Sequence, residues 1–262
     1  MKAIQAHLAE LWRHRVLIGI LTQRELIARY RGSLLGYLWT LLNPLLQAAV
    51  YVLVFRYLTG AIRTPGYEIT LFTAILPWAW IAGALTQGPT SIVHGAPLVL
   101  RSAVPPQVLP GVVVLGHGIH LVLALPVAAV LALASGIAPS WSWLALPIAL
   151  APLLVFVYAV ALATASLTPR FRDVQFLTQN ALGIWFLLTP IAWPLAMAPE
   201  WLRPWIGLNP AAALVLPFTQ ILVERRFPDA MLLGAGALWG LVAFAGTVAL
   251  FERHRDAIVE DL

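Results

Sequence analysis

Arg24, Arg29 and Arg31 stand at the edge of an uncharged stretch, residues 32–55. A guanidinium matches phosphate oxygens bidentately, so arginines at such a boundary could hold a phosphorylated lipid headgroup. Retention of cations on the cytoplasmic side of a membrane span explains the same arginines without a ligand. His117 and His120, three apart on one helical face of an apolar run, could relay protons or simply pack and meet polar neighbours. A metal site there would need a third ligand, and the sequence offers none. Glu68, Asp173 and Glu224 are scattered, without the paired spacing of acid–base catalysis. Lys2 is the only lysine, so there is no Gly-x-x-x-x-Gly-Lys-Ser/Thr loop to cradle nucleotide phosphates. With no cysteine, disulfide and thiolate chemistry fall away as well.

A second set of residues suits a passage better than a reaction. Gln175, Thr178, Gln179, Phe186 and Thr189 fall close to one helical face, and amides turned toward lipid would be unsatisfied. That face belongs inside a bundle or against water. Tyr37, Pro44 and Tyr51 follow heptad spacing, with Phe55 four residues further on. Tyr37, Tyr51, Phe55, Gln175, Gln179 and Phe186 are therefore candidates to line a channel, although aromatic residues also anchor spans at membrane interfaces.

These residues need membrane helices to position them. At 61% hydrophobic and 10% charged, the 262 residues cannot coat a soluble globule. The pattern predicts an all-α polytopic membrane protein with six spans, at residues 34–58, 68–90, 108–134, 142–167, 174–194 and 230–251. Six spans put both termini on one side. Eleven of the 16 Lys and Arg residues then fall in cytoplasmic segments, as the positive-inside rule requires. Basicity beside apolar spans calls for lipid contact, with no need of nucleic acid. No predicted span carries a deep Asp or Glu, which argues against an ion-coupled carrier.

Residues 1–33 form a cytoplasmic segment without a signal-cleavage pattern, read as retained. Ile4, Leu8, Leu11, Leu17 and Leu21 recur near helical spacing between cations, predicting an amphipathic helix on the membrane surface. Residues 34–262 form the transmembrane domain. Within it, residues 195–229 are too apolar for a solvated loop and too broken by Pro199, Pro204, Pro210 and Pro217 to span, so two short re-entrant outer helices are expected. A further full span in this segment would be too short and would flip the C-terminus.

The ordered motifs Arg-Glu-Leu, Arg-Tyr-Arg-Gly-Ser-Leu-Leu-Gly-Tyr-Leu-Trp and Asn-Pro-Leu resemble the opening of polysaccharide-export permeases of the type-2 ABC class. Arg-Phe-Arg-Asp at 170–173 and Thr-Pro-Ile-Ala-Trp-Pro at 189–194 extend the resemblance over nearly the whole chain, with Trp193 where Tyr is common. The resemblance implies an inner-membrane, multi-pass permease subunit that forms a homodimeric channel. Two ABC ATPase subunits would carry ATP and Mg, so this chain needs no cofactor of its own. It implies a lipid-linked polysaccharide as cargo, of O-antigen, teichoic-acid or capsule type. Aromatic rings that stack on sugar faces would suit the lining. Arg24, Arg29 and Arg31 would meet the carrier's pyrophosphate. The loop after the second span, with a short helix at 96–103, would be the coupling helix, its contacts Leu98, Leu100, Arg101 and Val104. An intramembrane glycosyl- or acyltransferase acting on a lipid carrier, or a related permease for a drug or lipid, are the alternatives.

Overall fold

Long uncharged runs of Leu, Ala and Val fold as helices in hydrocarbon because every backbone polar group must then find its partner within the same segment. The computed structural model describes residues 2–102 and 104–262, and among them every regular element is helical. Two helices, α1 (Lys2–Arg13) and α2 (Arg15–Tyr30), precede the first span, which is built from a 3₁₀ turn, α3 (Trp39–Val52) and a π-helical end at Leu53–Leu58. Next come α4 (Tyr67–Gln87), the short α5 (Ser91–His94) and α6 (Ala96–Ser102), then α7 (Val108–Ala134) and α8 (Leu146–Leu167). The chain ends with α9 (Val174–Leu188), α10 (Arg203–Gly207), α11 (Pro210–Leu222) and α12 (Ala230–Glu260).

Five of these helical stretches are long and apolar enough to cross a bilayer: Gly36–Leu58, Tyr67–Gln87, Val108–Ala134, Trp141–Leu167 and Ala230–Arg255. The protein is an all-α, multi-pass membrane protein. The expected bounds of the third and fourth spans agree with α7 and with Trp141–Leu167 to within one residue. The fifth differs. Instead of 174–194, its helix stops at Leu188, and 15 residues rise only about 22 Å against a core of roughly 30 Å. Pro190 is the reason: a residue before proline is pushed out of the helical region, and Thr189 is extended at φ −103°, ψ 135°.

The core centres on α4, where 72% of the most apolar window is buried, and on its neighbours α7, α8 and α11. α12 lies so close along α8 that a Cβ on Gly240 would meet the Pro152 carbonyl oxygen at 3.2 Å. The first span is the least covered, with 11% of its window buried.

After α9 the chain folds back on itself. Asn209 is the knot: its Oδ1 accepts from Trp185 Nε1 at 2.7 Å and caps α11 by accepting from the Ala211 amide at 3.0 Å, while its Nδ2 donates to Thr189 Oγ1 at 2.9 Å. The other end of α11 is fixed where Ser142 Oγ donates to the Ile221 carbonyl at 2.8 Å. Asn209→Ala removes a cap and strands the Trp185 donor, together about 2–3 kcal/mol of destabilisation. A corresponding fall in the midpoint of detergent-phase thermal unfolding is expected, and an unchanged midpoint would mean that water replaces the amide.

Candidate functional site

The three boundary arginines separate in space. Arg24 and Arg31, seven residues apart on α2 and at its C-cap, are exposed and flank a cleft of about 490 Å³ with Ile20 and Ile27. Arg29 turns the other way. Its guanidinium donates to Glu25 Oε1 at 3.0 Å and Gln87 Oε1 at 2.6 Å, and lies 3.5 Å from His117 Nε2. His117 sits directly over Gly83, where a Cβ would come within 2.3 Å of the ring. His120 lies 3.2 Å from the Tyr30 hydroxyl, and the Tyr30 ring packs on Tyr37 at 4.7 Å. Both histidines thus make polar contacts to α2 across a cavity of about 560 Å³, which Asn43 and Trp39 of the first span also border.

The apolar residues before the first span divide between two faces. Ile18 and Leu26 are buried, and Leu11, Leu17 and Leu21 pack against the cluster that Ile18 forms with Val104, Val108 and Val112. Leu8, Trp12, Val16, Ile20 and Ile27 form an exposed stripe along α1 and α2, with the Arg15 guanidinium 4.7 Å above the Trp12 ring.

Of the six candidate lining residues, Tyr37 and Gln179 are exposed, and Tyr51, Phe55 and Gln175 are half-buried. Phe186 is only 6% exposed, clamped between Tyr51 at 5.2 Å and Trp78 at 5.5 Å. Tyr51 also stacks on Phe55 at 6.2 Å. Tyr51, Phe55, Phe186 and Trp78 therefore form one aromatic cluster joining the first span, α4 and α9, while Tyr37 packs on Tyr30 instead. Sequence reasoning missed the π-helical turn beside it, where the Thr59 amide donates to the Val54 carbonyl at 2.9 Å. No proline or glycine in residues 53–58 marks it.

In the loop between α4 and α7, α6 presents Leu100, 56% exposed, and Arg101 to solvent. Leu98 is half-buried in a cleft with Arg24 and His94. Val104 lies beneath, buried with Ile18, Val108 and Val112. Exposed Val93 and His94 join the same surface and were not among the sequence candidates. Ala103, the expected end of this helix, lies outside the described residues.

A buried polar node fastens α1 to the bundle. His7, fully buried, has Nε2 2.9 Å from the Tyr158 hydroxyl of α8 and Nδ1 3.7 Å from Glu252 of α12. Glu10 accepts from Arg255 of α12 at 2.9 Å and from Gln107 Nε2 at 2.5 Å. Burial pushes the His7 imidazole down to about 4 from 6.5, with Glu10 opposing and Arg255 adding to the shift. The folded state therefore favours neutral His7. This stabilisation is whole above about pH 6.5 and is lost as pH falls toward 4, up to about 3 kcal/mol. Amide protection factors across residues 2–13, corrected for the pH dependence of intrinsic exchange, should fall over that window in wild type and stay flat in His7→Asn.

Comparison with known proteins bears on what these elements serve. A family model described as "ABC-2 type transporter" matches residues 16–223. The chain is 36% identical over 255 residues to the O-antigen export system permease protein RfbA of Myxococcus xanthus, covering 97% of this chain and 98% of that protein. It is 30% identical over 209 residues to an O-antigen export system permease protein RfbA of Klebsiella pneumoniae, covering 79% and 80%. A shorter likeness, 31% over 86 residues and 30% of this chain, joins it to the capsule polysaccharide export inner-membrane protein CtrC of Neisseria meningitidis serogroup B.

Proposed function

Since the chain belongs to the ABC-2 type transporter family, we propose that it is the membrane-embedded subunit of an ATP-driven exporter. Its cargo is a lipid-linked polysaccharide of O-antigen type, carried outward across the bacterial inner membrane. Two copies form the channel and two ATPase subunits dock below.

The observation that carries this reading is the bare face of α3 and α9. Gln179 and Asn180 are exposed and Gln175 half-covered on a helix otherwise apolar, beside a first span that is 11% buried. Asn180 Nδ2 donates to the Phe176 carbonyl at 2.8 Å, whereas the Gln175 and Gln179 amides, which on a membrane helix need water or a partner, make no side-chain hydrogen bond among the described residues. A second copy related by twofold symmetry would close a wet passage between the two α3–α9 faces. Tyr37, Tyr51 and Phe55 would give that passage the flat surfaces on which sugar rings slide, with Phe186 backing Tyr51 from behind.

In this layout residues 1–33 lie on the inner membrane surface with the exposed Leu8–Trp12–Val16–Ile20 stripe in the headgroup layer. α9 with residues 189–194 makes the fifth of six crossings, and α10 and α11 dip in from the outer face. The ties of Asn209 to the end of α9, of Ser142 to the end of α11, and of the Tyr67 hydroxyl to the Ala192 carbonyl at 2.6 Å support that placement. Both termini are then cytoplasmic. Arg24 and Arg31 face the headgroups and suit the carrier's phosphates, while α6 offers Leu98, Leu100 and Arg101 to the ATPase.

The test is reconstitution. The chain purified together with an ABC ATPase subunit that binds it should move lipid-linked polymer into vesicles only when ATP is present, and polymer should stimulate hydrolysis. Sugar transfer or nucleotide hydrolysis by the chain alone would refute the assignment.

A further inference from the structure

Residues 104–107, just ahead of α7, are held stiffly. The Val104 amide donates to the Leu98 carbonyl at 3.2 Å, Pro105 and Pro106 fix their own φ, and the Val108 and Leu109 amides bond back to the carbonyls of Pro105 and Pro106. At its end stands Gln107, fully buried, a residue no part of the proposed channel or docking surface uses. Its amide nitrogen donates to Glu10 of α1, its main-chain carbonyl accepts from the Tyr158 hydroxyl of α8 at 3.3 Å, and Glu10 in turn holds Arg255 of α12. Three segments distant in sequence therefore meet at one buried amide.

We infer that Gln107 is a positioning residue for export: it locks α1 and the cytoplasmic end of α12 to the start of α7, so that a displacement of α6 moves all three as one body. This rests on the reading of α6 as the ATPase-facing element. The physical basis is a contact with no slack. A hydrogen bond to a carboxylate is among the stronger ones, and separating the pair would leave the Gln107 amide unsatisfied in the interior while Glu10 kept only Arg255. Val104 packing on Ile18 makes a second contact between the same stiff segment and the surface helices. A push on α6 consequently cannot tilt α7 alone. It carries the amphipathic pair α1–α2 with it, and α2 ends at the cavity where Arg29 meets α4 and α7.

The experiment uses the full complex with its ATPase in proteoliposomes, scoring hydrolysis and polymer export separately. Gln107→Leu should leave hydrolysis within about twofold of wild type while export falls about tenfold, the signature of a lost coupling of roughly 1.4 kcal/mol. Gln107→Glu sets two carboxylates together and should act likewise, and adding Glu10→Gln exchanges donor for acceptor and should restore export. A proportional fall in hydrolysis, export and assembled complex would show a merely structural role and overturn the inference, as would unchanged export.

Because the chain has no cysteine, a second arm is clean. Glu10→Cys with Gln107→Cys should export poorly until bridged by a short, reducible thiol crosslinker, and then recover. Loss of export on bridging, reversed by reductant, would show that the contact opens during the cycle and sink the idea. If wild type itself shows no ATP-dependent export, the functional proposal fails. If wild type exports and every variant matches it, only the role of Gln107 fails.

Discussion

Leu100→Asp combined with Arg101→Glu is expected to lower polymer export by about 100-fold or more while membrane insertion stays normal. Leu100 is the large apolar side chain that α6 leaves most open, and Arg101 gives the same helix its one cation. On the proposed reading both are covered when the ATPase docks. A carboxylate pressed into such an interface without a partner costs about 3–5 kcal/mol, which outweighs anything the exposed rim of the contact can recover. The amount of ATPase copurifying per permease should drop in parallel with export. Val104→Ala serves as the contrast. It hollows the small cluster with Ile18, Val108 and Val112, so it should lower the thermal midpoint first and ATPase binding only as a consequence. Full retention of the ATPase by the double variant, with normal export, would remove α6 from the docking surface.

What the sequence could disclose here followed from local physics. The turn at Ser135-Gly136 closes α7, with Gly136 in the left-handed region at φ +81°, and 68 uncharged residues at 102–169 can only be two spans and a turn. The bounds of α7 and of the Trp141–Leu167 stretch were therefore legible. The end of α9 was half legible, because the proline was visible while the length of helix lost ahead of it was not. Helical periodicity puts Gln175, Gln179 and Phe186 on one face, yet periodicity names a face and not its cover. α3 and α4 cover that face at Phe186 and leave it open at Gln179. The inward turn of Arg29 depends on the register of α7 against α2, since its histidine partner lies 88 residues away. The node of His7, Gln107, Tyr158 and Arg255 has no local signature at all. Each residue is unremarkable in its own window, and only tertiary packing brings four helices to one buried amide.

That division among the arginines sharpens the second large effect. Arg24→Glu with Arg31→Glu should reduce export by a few hundred-fold, on the order of two to three decades, without loss of assembled protein. Each cation near an anionic membrane surface contributes about 1 kcal/mol, reversal roughly doubles the change, and two sites together reach about 3–4 kcal/mol. Their side chains are exposed and make no ion pair among the described residues, so the fold loses little when they are reversed. Arg29→Glu should behave differently. Glu25 and Gln87 would face a new carboxylate in place of their donor, and the protein should unfold at lower temperature before any effect on cargo can be read. Raising salt separates the two further: exposed headgroup contacts weaken with ionic strength, whereas the part-buried Arg29 cluster is screened much less. Equal damage to assembly from both changes would mean that Arg24 and Arg31 serve topology alone, and the phosphate-binding role would have to be given up.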